Sequence, residues 1–458
     1  MSFPRYPKYK ASGVEWLGDV PEHWTVMPVH RLIRTGRRIT YGIVQPGERD
    51  ESGRYMVRGQ DYSFGWARPD TLFRVSDAVE SPYKRARLMA GDIVMTIVGA
   101  GVGNVATVPP WLDGANITQT TARLSVDPER ADPQFISAVF QSSVGRRSIE
   151  LFAKGAAQPG LNLEHVRVFP VTVPPRDEQT QIASFLDRET SKIDGLVGEQ
   201  RRLIELLKEK RQAVISHAVT KGLNPHAPLK PSGIEWLGDV PEHWRVGAIK
   251  YFVLPKNGAI KTGPFGSHLT SADMQFGTIK VYNQRSVIDC DFDAGDNFIS
   301  EEKFAELASF ETFPGDLLIT TRGTIGRTAI LPENAERGIL HPCLLRLQPD
   351  NSKIDTLFLK TLIQDSDLMK TQLSYLSNAT TIEVIYSNTI ASVIIPVPPV
   401  GEQKAILQFL DAETAKLDAL TAEAERGIEL LQERRTALIS AAVTGQIDVR
   451  GLVETEAA

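Results

Sequence analysis

The sequence predicts an α+β protein: two α/β domains of the same fold, separated by two long helices that form an antiparallel coiled coil with pseudo-twofold symmetry. Three observations carry this. Residues 173–220 recur without a gap as residues 397–444. The motif SGVEWLGDVPEHW at 12–24 recurs as SGIEWLGDVPEHW at 232–244, with one conservative difference in thirteen positions. After each motif come some 150 residues in which the halves diverge, so the order along the chain is variable, helix, variable, helix.

The helices come first because they are the common frame. In the first copy Ile182, Leu186, Ile193, Leu196, Leu203, Leu207 and Val214 keep the three-and-four spacing of an apolar seam. The second copy answers with Ile406, Leu410, Leu417, Leu420, Leu431 and Leu438. Each helix begins after a Pro-Pro pair, Pro174-Pro175 or Pro398-Pro399, and stops near a glycine, Gly222 or Gly445. At ~1.5 Å per residue each is a rod of roughly 64 Å. A narrow apolar stripe on such a rod must be covered, since a helix's own hydrogen bonds contribute little net free energy. The other copy is the favoured cover; docking on the helix's own domain is the alternative. Helix one leaves the first domain and enters the second, and helix two leaves the second and returns, which makes the pair antiparallel. A centre near Glu199 and Glu423 would bring Glu189 toward Arg434 and Glu413 toward Lys210. By the same repeat, the tail after Thr444 should end beside residues 1–24.

Trp16, Leu17, Val20 and Trp24 are large apolar groups in a short stretch that cannot bury them alone. The helix ends are the surface common to both halves, so the motif should pack there; an aromatic ligand box is the alternative. In the variable segments, short β-type runs alternate with Gly/Pro/Asp turns: residues 56–67, 92–108 and 121–126, then 278–288, 316–331 and 344–349. One helix is expected in each, at 132–150 and 354–375. A strand-glycine landmark, GDIVMTIVGAGVGN from Gly91 and GDLLITTRGTIGRT from Gly315, survives in both. Its spacing is not that of a dinucleotide fingerprint. A tight turn presenting backbone amides, with Arg322 and Arg327, fits both copies better.

Composition bounds the reading. The 458 residues exceed one core and suggest two to four domains. No apolar run approaches ~18 residues, so no membrane span is expected, and the N-terminus lacks the apolar segment of a signal peptide. Cys290 and Cys343 are the only cysteines, which fits a reducing cytoplasm and excludes a disulfide framework. Net charge is −5, yet residues 1–175 hold 21 Lys+Arg against 17 Asp+Glu, and residues 223–399 hold 15 against 20. Arginine excess suits contacts to bases and phosphates, and equally a solvated surface. No catalytic constellation appears: there is no amino-methyltransferase motif, no GxxxxGKS/T phosphate loop and no metal-ligand set. His23 and His243 are expected to pack or cap.

The duplicated PEHW motif, the GD strand-glycine turn, the Pro-Pro-x-x-Glu-Gln helix start and the long FLDxET helix, in that order, strongly resemble the specificity subunit of type I restriction-modification enzymes over essentially the whole chain. KTGPFGSHL from Lys261, PGDLLITTRGTIGR from Pro314 and AAQPGLNLEHV from Ala156 resemble that family's target-recognition domains. The second half departs at the last motif, reading NATTIEVIYSNTI, so Gln158 and Asn162 are carried over in the first half only. The resemblance implies a DNA-reading subunit without catalysis of its own, in the cytoplasm, with one half-site of an asymmetric bipartite site per target-recognition domain. It implies two methyltransferase subunits carrying S-adenosylmethionine, restriction subunits using ATP and Mg, double-stranded DNA as ligand, and no cofactor on this chain. A subunit serving a fused restriction-methylation polypeptide is the alternative; a coiled-coil interaction protein without DNA function is a third reading.

The expected parts are a first target-recognition domain at 1–175, helix one at 176–222, a second domain at 223–399, helix two at 400–446 and a tail at 447–458. Polar side chains suited to base edges or phosphates are Arg58, Gln60, Lys84, Arg85, Arg87, Gln119, Gln158 and Asn162 in the first. In the second they are Lys261, Ser267, Lys280, Asn283, Gln284, Arg285, Arg322, Thr324 and Arg327.

Overall fold

A computed structural model describes residues 3–452 apart from 64, 154–159, 266, 367, 369–370 and 373–383. The chain divides into two units, Met1–Arg201 with Glu425–Ala458, and Arg202–Ala424. Each long helix is continuous, Arg176–Lys221 and Val400–Val443, and lends one end to each unit.

In the first unit a four-stranded antiparallel sheet runs Thr40–Tyr41, Thr121–Leu124, Ile93–Thr96, Val105–Thr107. A three-stranded sheet sets Arg54–Val57 between Phe73–Val75, antiparallel, and Asn116–Ile117, parallel. The second unit repeats both. Its four-stranded sheet runs Ile260–Thr262, Leu344–Leu347, Leu317–Thr320, Thr328–Ile330. Its other sheet sets Ile279–Tyr282 between Phe298–Ile299 and, in parallel, Gly338–Leu340, and adds Glu311–Thr312 at the edge. Halves whose sequences diverged therefore share one fold, as expected.

The central strands are apolar on both faces because each separates two cores. Ile93 and Met95 enter one cluster and Val94 another; Leu317 and Ile319 enter one and Leu318 another. This is the sheet alternation of period two with neither face left to water.

The duplicated tryptophan motif packs where the repeat requires. Leu17, Val20 and Trp24 join Ile182, Leu186, Ile439, Ala442 and Val443 in one core. Leu237, Val240 and Trp244 join Ile215, Ala218, Val219, Ile406 and Leu410 in the other. The strand after each motif pairs with the last strand before each Pro-Pro pair, Thr25–Pro28 with Pro170–Val173 and Arg245–Ala248 with Ile394–Val397. The tail starts beside the N-terminal residues, with Asp448 N donating to Pro4 O at 2.8 Å and Tyr9 Oη to Gly445 O at 2.9 Å, and its last residues, 453–458, lie outside the described residues. Gly445 ends helix two at φ +72°, and a Cβ there would lie 2.4 Å from Pro21, so only glycine fits this turn.

Several sequence expectations need correction. The helix expected at 132–150 is two, Pro133–Gln141 and Ser143–Phe152, because Ser142 is extended and its hydroxyl accepts from Gly145 N to cap the second. The helix expected at 354–375 is Thr356–Lys360 followed by a wider turn at Thr361–Asp365, and its end lies partly outside the described residues. Of 56–67 only Met56 and Val57 are strand, as the end of Arg54–Val57, and 278–288 is the strand Ile279–Tyr282 followed by the helix Gln284–Ile288.

The helical seam is also different. Ile182, Leu186, Ile193 and Leu207 are buried as expected, but Leu196 and Leu203 are exposed and Val197 and Ile204 are buried instead. In helix two Leu420 is exposed, while Ala424 and Ile439 are buried. One position is about 100° of helix rotation at 3.6 residues per turn, so choosing leucine over its β-branched neighbour turned the stripe. The helices are antiparallel within each unit, but the expected ion pairs are not made. Arg435 bonds Asp194 at 2.9 Å and the repeat-related Arg211 bonds Asp418 at 3.0 Å. Glu189 pairs with Lys192 and Glu413 with Lys416 on their own helices. The register is displaced from the expectation by rather more than one turn.

Candidate nucleic-acid interface

The Pro-Pro-x-x-Glu-Gln sequence fixes each α/β domain to its helix. Glu178, in the first turn of helix one, accepts from Trp24 Nε1 at 3.0 Å, lies 2.8 Å from His23 Nε2 and also accepts from the Tyr6 hydroxyl. Glu402 repeats this with Trp244 Nε1 at 3.2 Å and His243 Nε2 at 2.7 Å. Gln179 accepts from Asp132 N at 2.8 Å and donates to Pro174 O; Gln403 accepts from Asp355 N at 2.7 Å and donates to Pro398 O. Asp132 and Asp355 are themselves helix N-caps in the α/β domains. The expectation that His23 and His243 pack or cap needs correction: both are exposed and each is bonded to the glutamate of a helix start. The repeat of Glu-Gln at 178–179 and 402–403 was the signal that could have found these bonds.

Buried ion pairs brace the sheets. The GD aspartates are structural: Asp92 accepts from Met89 N and Arg37, both at 2.8 Å, and Asp316 accepts from Phe313 N and Gln348, both at 2.8 Å. Burial holds the Asp316 carboxyl above its ordinary value, and it lowers the Arg346 guanidinium beside it. Glu80 is buried, and the paired hydrogen bonds from Arg87, at 2.6 and 2.7 Å, hold its pKa down.

Three segments converge at the end of each α/β domain: the turn after Arg54–Val57 or Ile279–Tyr282, the link from their parallel partner strand into Thr121–Leu124 or Leu344–Leu347, and the strand-glycine turn. In the first unit they enclose a cavity of about 540 Å³ lined by Arg58, Gln60, Ser63, Thr96, Val98, Gly101, Thr118, Gln119 and Thr120 among others. Gln60 and Gln119 are exposed. Arg58 is half-buried, with Asp61 taking its Nε at 3.2 Å and its Nη2 at 3.0 Å. Tyr62 braces the floor through Thr96 Oγ1 at 2.8 Å, and burial pushes its pKa up to about 12.

In the second unit the same segments carry Asn283, Gln284 and Arg285, then His341 and Cys343, then Arg322, Thr324 and Arg327. Asn283 caps the short helix Gln284–Ile288, and Gln284 Nε2 donates to Arg322 O at 2.9 Å, tying the helix start to the glycine turn. Arg285, Arg322, Thr324 and Arg327 are exposed. Thr320 Oγ1 accepts from Arg327 N at 3.0 Å and donates to Thr324 O, which shapes the turn.

The remaining sequence-predicted residues fall apart. Lys84 and Arg85 are exposed on another edge of the first unit, while Arg87 is committed to Glu80. Asn162 caps the helix Leu163–Val168 through Glu164 N. Gln158 lies outside the described residues. Lys261 is stacked 4.3 Å over Phe310, and Ser267 is exposed. Lys280 is inside the sheet, its ammonium bonded to Asp293 O at 2.9 Å and Glu336 at 3.2 Å, so it lies off any open surface. Thr118, Thr120, His341 and Cys343 were missed, since only the parallel strand pairing brings them to this face. The hydroxyls of Thr118 and Thr120 are 2.8 Å apart, and His341 Nδ1 and Cys343 Sγ hold the corresponding place at 2.7 Å.

Two domains of one fold with unlike faces, braced on paired helices, define a class of molecule that comparison identifies. Residues 256–430 match the family described as type I restriction modification DNA specificity domain. A chain from Methanocaldococcus jannaschii described as the type I restriction enzyme MjaX specificity subunit is 24% identical over 456 residues, 95% of this chain and 96% of that one. The EcoBI specificity subunit of Escherichia coli is 26% identical over 43% of this chain and 42% of its own length. A solved structure from work on complex assembly and conformational transition of the type I R-M system shares the fold at TM-score 0.65 and 16% identity, over 95% of this chain and 99% of that one. The HsdS subunit from Thermoanaerobacter tengcongensis does so at TM-score 0.50 and 17% identity, over 93% and 98%. The resemblance read from the motifs is met by these matches: the chain is similar to type I specificity subunits in sequence and shares their fold. Among the described residues no helix is long and apolar enough to cross a membrane.

Proposed function

We propose that this protein is the sequence-specific DNA-recognition subunit of a type I restriction-modification complex, reading an asymmetric bipartite site with one half-site per unit. One observation carries the reading: equivalent segments of one fold present exposed Gln60 and Gln119 in the first unit and exposed Arg285 and Arg322 in the second. Arginine, asparagine and glutamine make the paired hydrogen bonds that distinguish guanine and adenine edges. A fixed frame with unlike faces is what two different half-sites demand. The chain acts in the cytoplasm without catalysis of its own; S-adenosylmethionine belongs to its methyltransferase partners, and ATP and Mg to restriction partners.

The partners' seat lies on the helices. Leu196 and Leu430 in the first unit are 53% and 56% exposed, and their repeat-related counterparts Leu420 and Leu206 in the second are 49% and 52% exposed. Leucines kept uncovered at the same repeat positions suit two copies of one partner.

Methylome sequencing of cells with and without the gene tests the function. The expected result is a single methylated motif of two short half-sites flanking an unspecific spacer, lost with the gene. An unchanged methylome in a host expressing the methyltransferase subunit would reject the reading.

A further inference from the structure

The central strand Thr121–Leu124 of the first unit carries a buried arginine that the base-reading face does not use. Arg123 Nη1 donates to Arg85 O at 2.7 Å and Arg87 O at 3.2 Å, and its Nη2 donates to Arg38 O at 2.9 Å. Arg37 adds a bond to Arg87 O at 2.9 Å. Two segments distant in sequence, 34–38 and 84–87, are thus tied side by side through one guanidinium. Of the cations they bring together, Arg37 is paired with Asp92 and Arg87 with Glu80. Among the described residues Arg34, Arg38, Lys84 and Arg85 have no carboxylate partner, and Arg38, Lys84 and Arg85 are exposed. Uncompensated cations held close on a rigid backbone repel one another, and an anion relieves that repulsion.

The second unit keeps the tie but holds fewer unpaired cations beside it. Arg346 donates to Gly258 O at 2.7 Å and to Glu311 O. There Glu311 is paired with Arg337 at 2.9 Å, and Lys256 sits 5.8 Å from the centre of the Phe313 ring. The first unit's charge is therefore a local feature rather than a by-product of the fold.

We infer that Arg38, Lys84 and Arg85 form a phosphate-contacting ridge, positioned by Arg123, which grips the DNA backbone beside the first half-site without reading sequence. The inference rests on the DNA-recognition reading above. Arg123 lies four residues beyond Gln119 along the chain, ~13 Å at about 3.3 Å per residue. That is close to the ~12 Å width of the major groove. On that spacing a duplex with base edges over the cavity would bring a bordering phosphate strand toward the ridge.

The test is fluorescence anisotropy of the full chain assembled with methyltransferase subunits, on cognate and random duplexes across a salt series. The double variant Arg38→Ala with Arg85→Ala should lose affinity by the same factor on both duplexes. It should also flatten the slope of log K against log salt by about 0.9 per lost contact. Lys256→Ala in the second unit should leave the slope unchanged. An unaltered slope in the double variant, or a loss confined to the cognate duplex, overturns the ridge while leaving the DNA-recognition reading in place. Wild-type complex that binds neither duplex overturns both.

Discussion

Trp24 Nε1 donates to Glu178 Oε1 at 3.0 Å, joining the duplicated tryptophan motif to the first turn of a helix more than 150 residues away in sequence. The same carboxylate also takes the Tyr6 hydroxyl, whose pKa is raised by burial and by the carboxylate it bonds. Removing the acceptor strands two buried donors. Glu178→Ala should cost about 3 kcal/mol, at roughly 1–3 for each buried group left unsatisfied. Thermal unfolding of the full chain would show it. A variant melting like the wild type would mean that the Glu-Gln helix start contributes little to the joint.

The helix register is a second measurable quantity. Asp194 is paired with Arg435, and Asp418 with Arg211, each pair within one unit and each partly exposed. Such pairs contribute only ~0.2–1 kcal/mol, so their effect is on register more than on stability. Asp194→Arg should lower the melting temperature slightly, and adding Arg435→Asp should restore it. A double exchange no better than the single one would place the partners elsewhere.

Glu80 makes the acid limb of stability predictable. Its folded pKa is lowered, chiefly by the hydrogen bonds from Arg87 and further by Asn116. A lowered carboxylate pKa stabilises the fold above the ordinary glutamate value of 4.5, and that contribution is lost as pH falls from there through the folded value. Glu80→Gln should therefore destabilise near neutral pH, by about 1–3 kcal/mol, and the difference from wild type should shrink as the pH falls below about 4. Urea melts at several pH values measure this; a difference independent of pH would contradict it.

The frame was legible because duplication supplies its own control. Residues 173–220 and 397–444 had to form the same element, and Trp24 and Trp244 had to meet something present twice. Long-range geometry was less legible. Leu196 and Val197 are adjacent apolar residues, and only the helix partner decides which one turns inward. Lys280 sits in a polar-looking stretch, yet its strand lies between two others and buries it. Arg123 reads as an ordinary strand residue until its guanidinium is seen among three carbonyls. The polar segments of the proposed DNA face stand out in the sequence, but Thr118 and His341 reach that face only through a parallel pairing that no local pattern announces.

Alanine substitution distinguishes base reading from phosphate contact at the proposed second half-site. Arg285 and Arg322 are exposed at the end of the reader, and the Gln284 bond to Arg322 O holds their segments together. A base-reading arginine replaced by alanine costs ~1–3 kcal/mol and relaxes one position. Arg285→Ala and Arg322→Ala should each broaden the second half-site in a methylome readout and leave the first intact. Two variants with unchanged motifs would remove both residues from the reading face.

The exposed leucines give the sharpest test of assembly. Leu196 with Leu430, and Leu420 with Leu206, are the same two repeat positions presented once in each unit. Because these side chains are already largely in water, replacing them costs the free chain little, within about 0.5 kcal/mol for surface changes. A partner covering them would gain roughly 1.5–3 kcal/mol for each one fully buried, an amount a buried carboxylate forfeits. Leu196→Asp with Leu430→Asp should therefore leave melting unchanged and reduce the methyltransferase subunits bound from two to one, as read by light scattering after size exclusion. Adding Leu206→Asp and Leu420→Asp should remove the second. If the fourfold variant still carries two methyltransferase subunits, the partners sit on another surface of the frame.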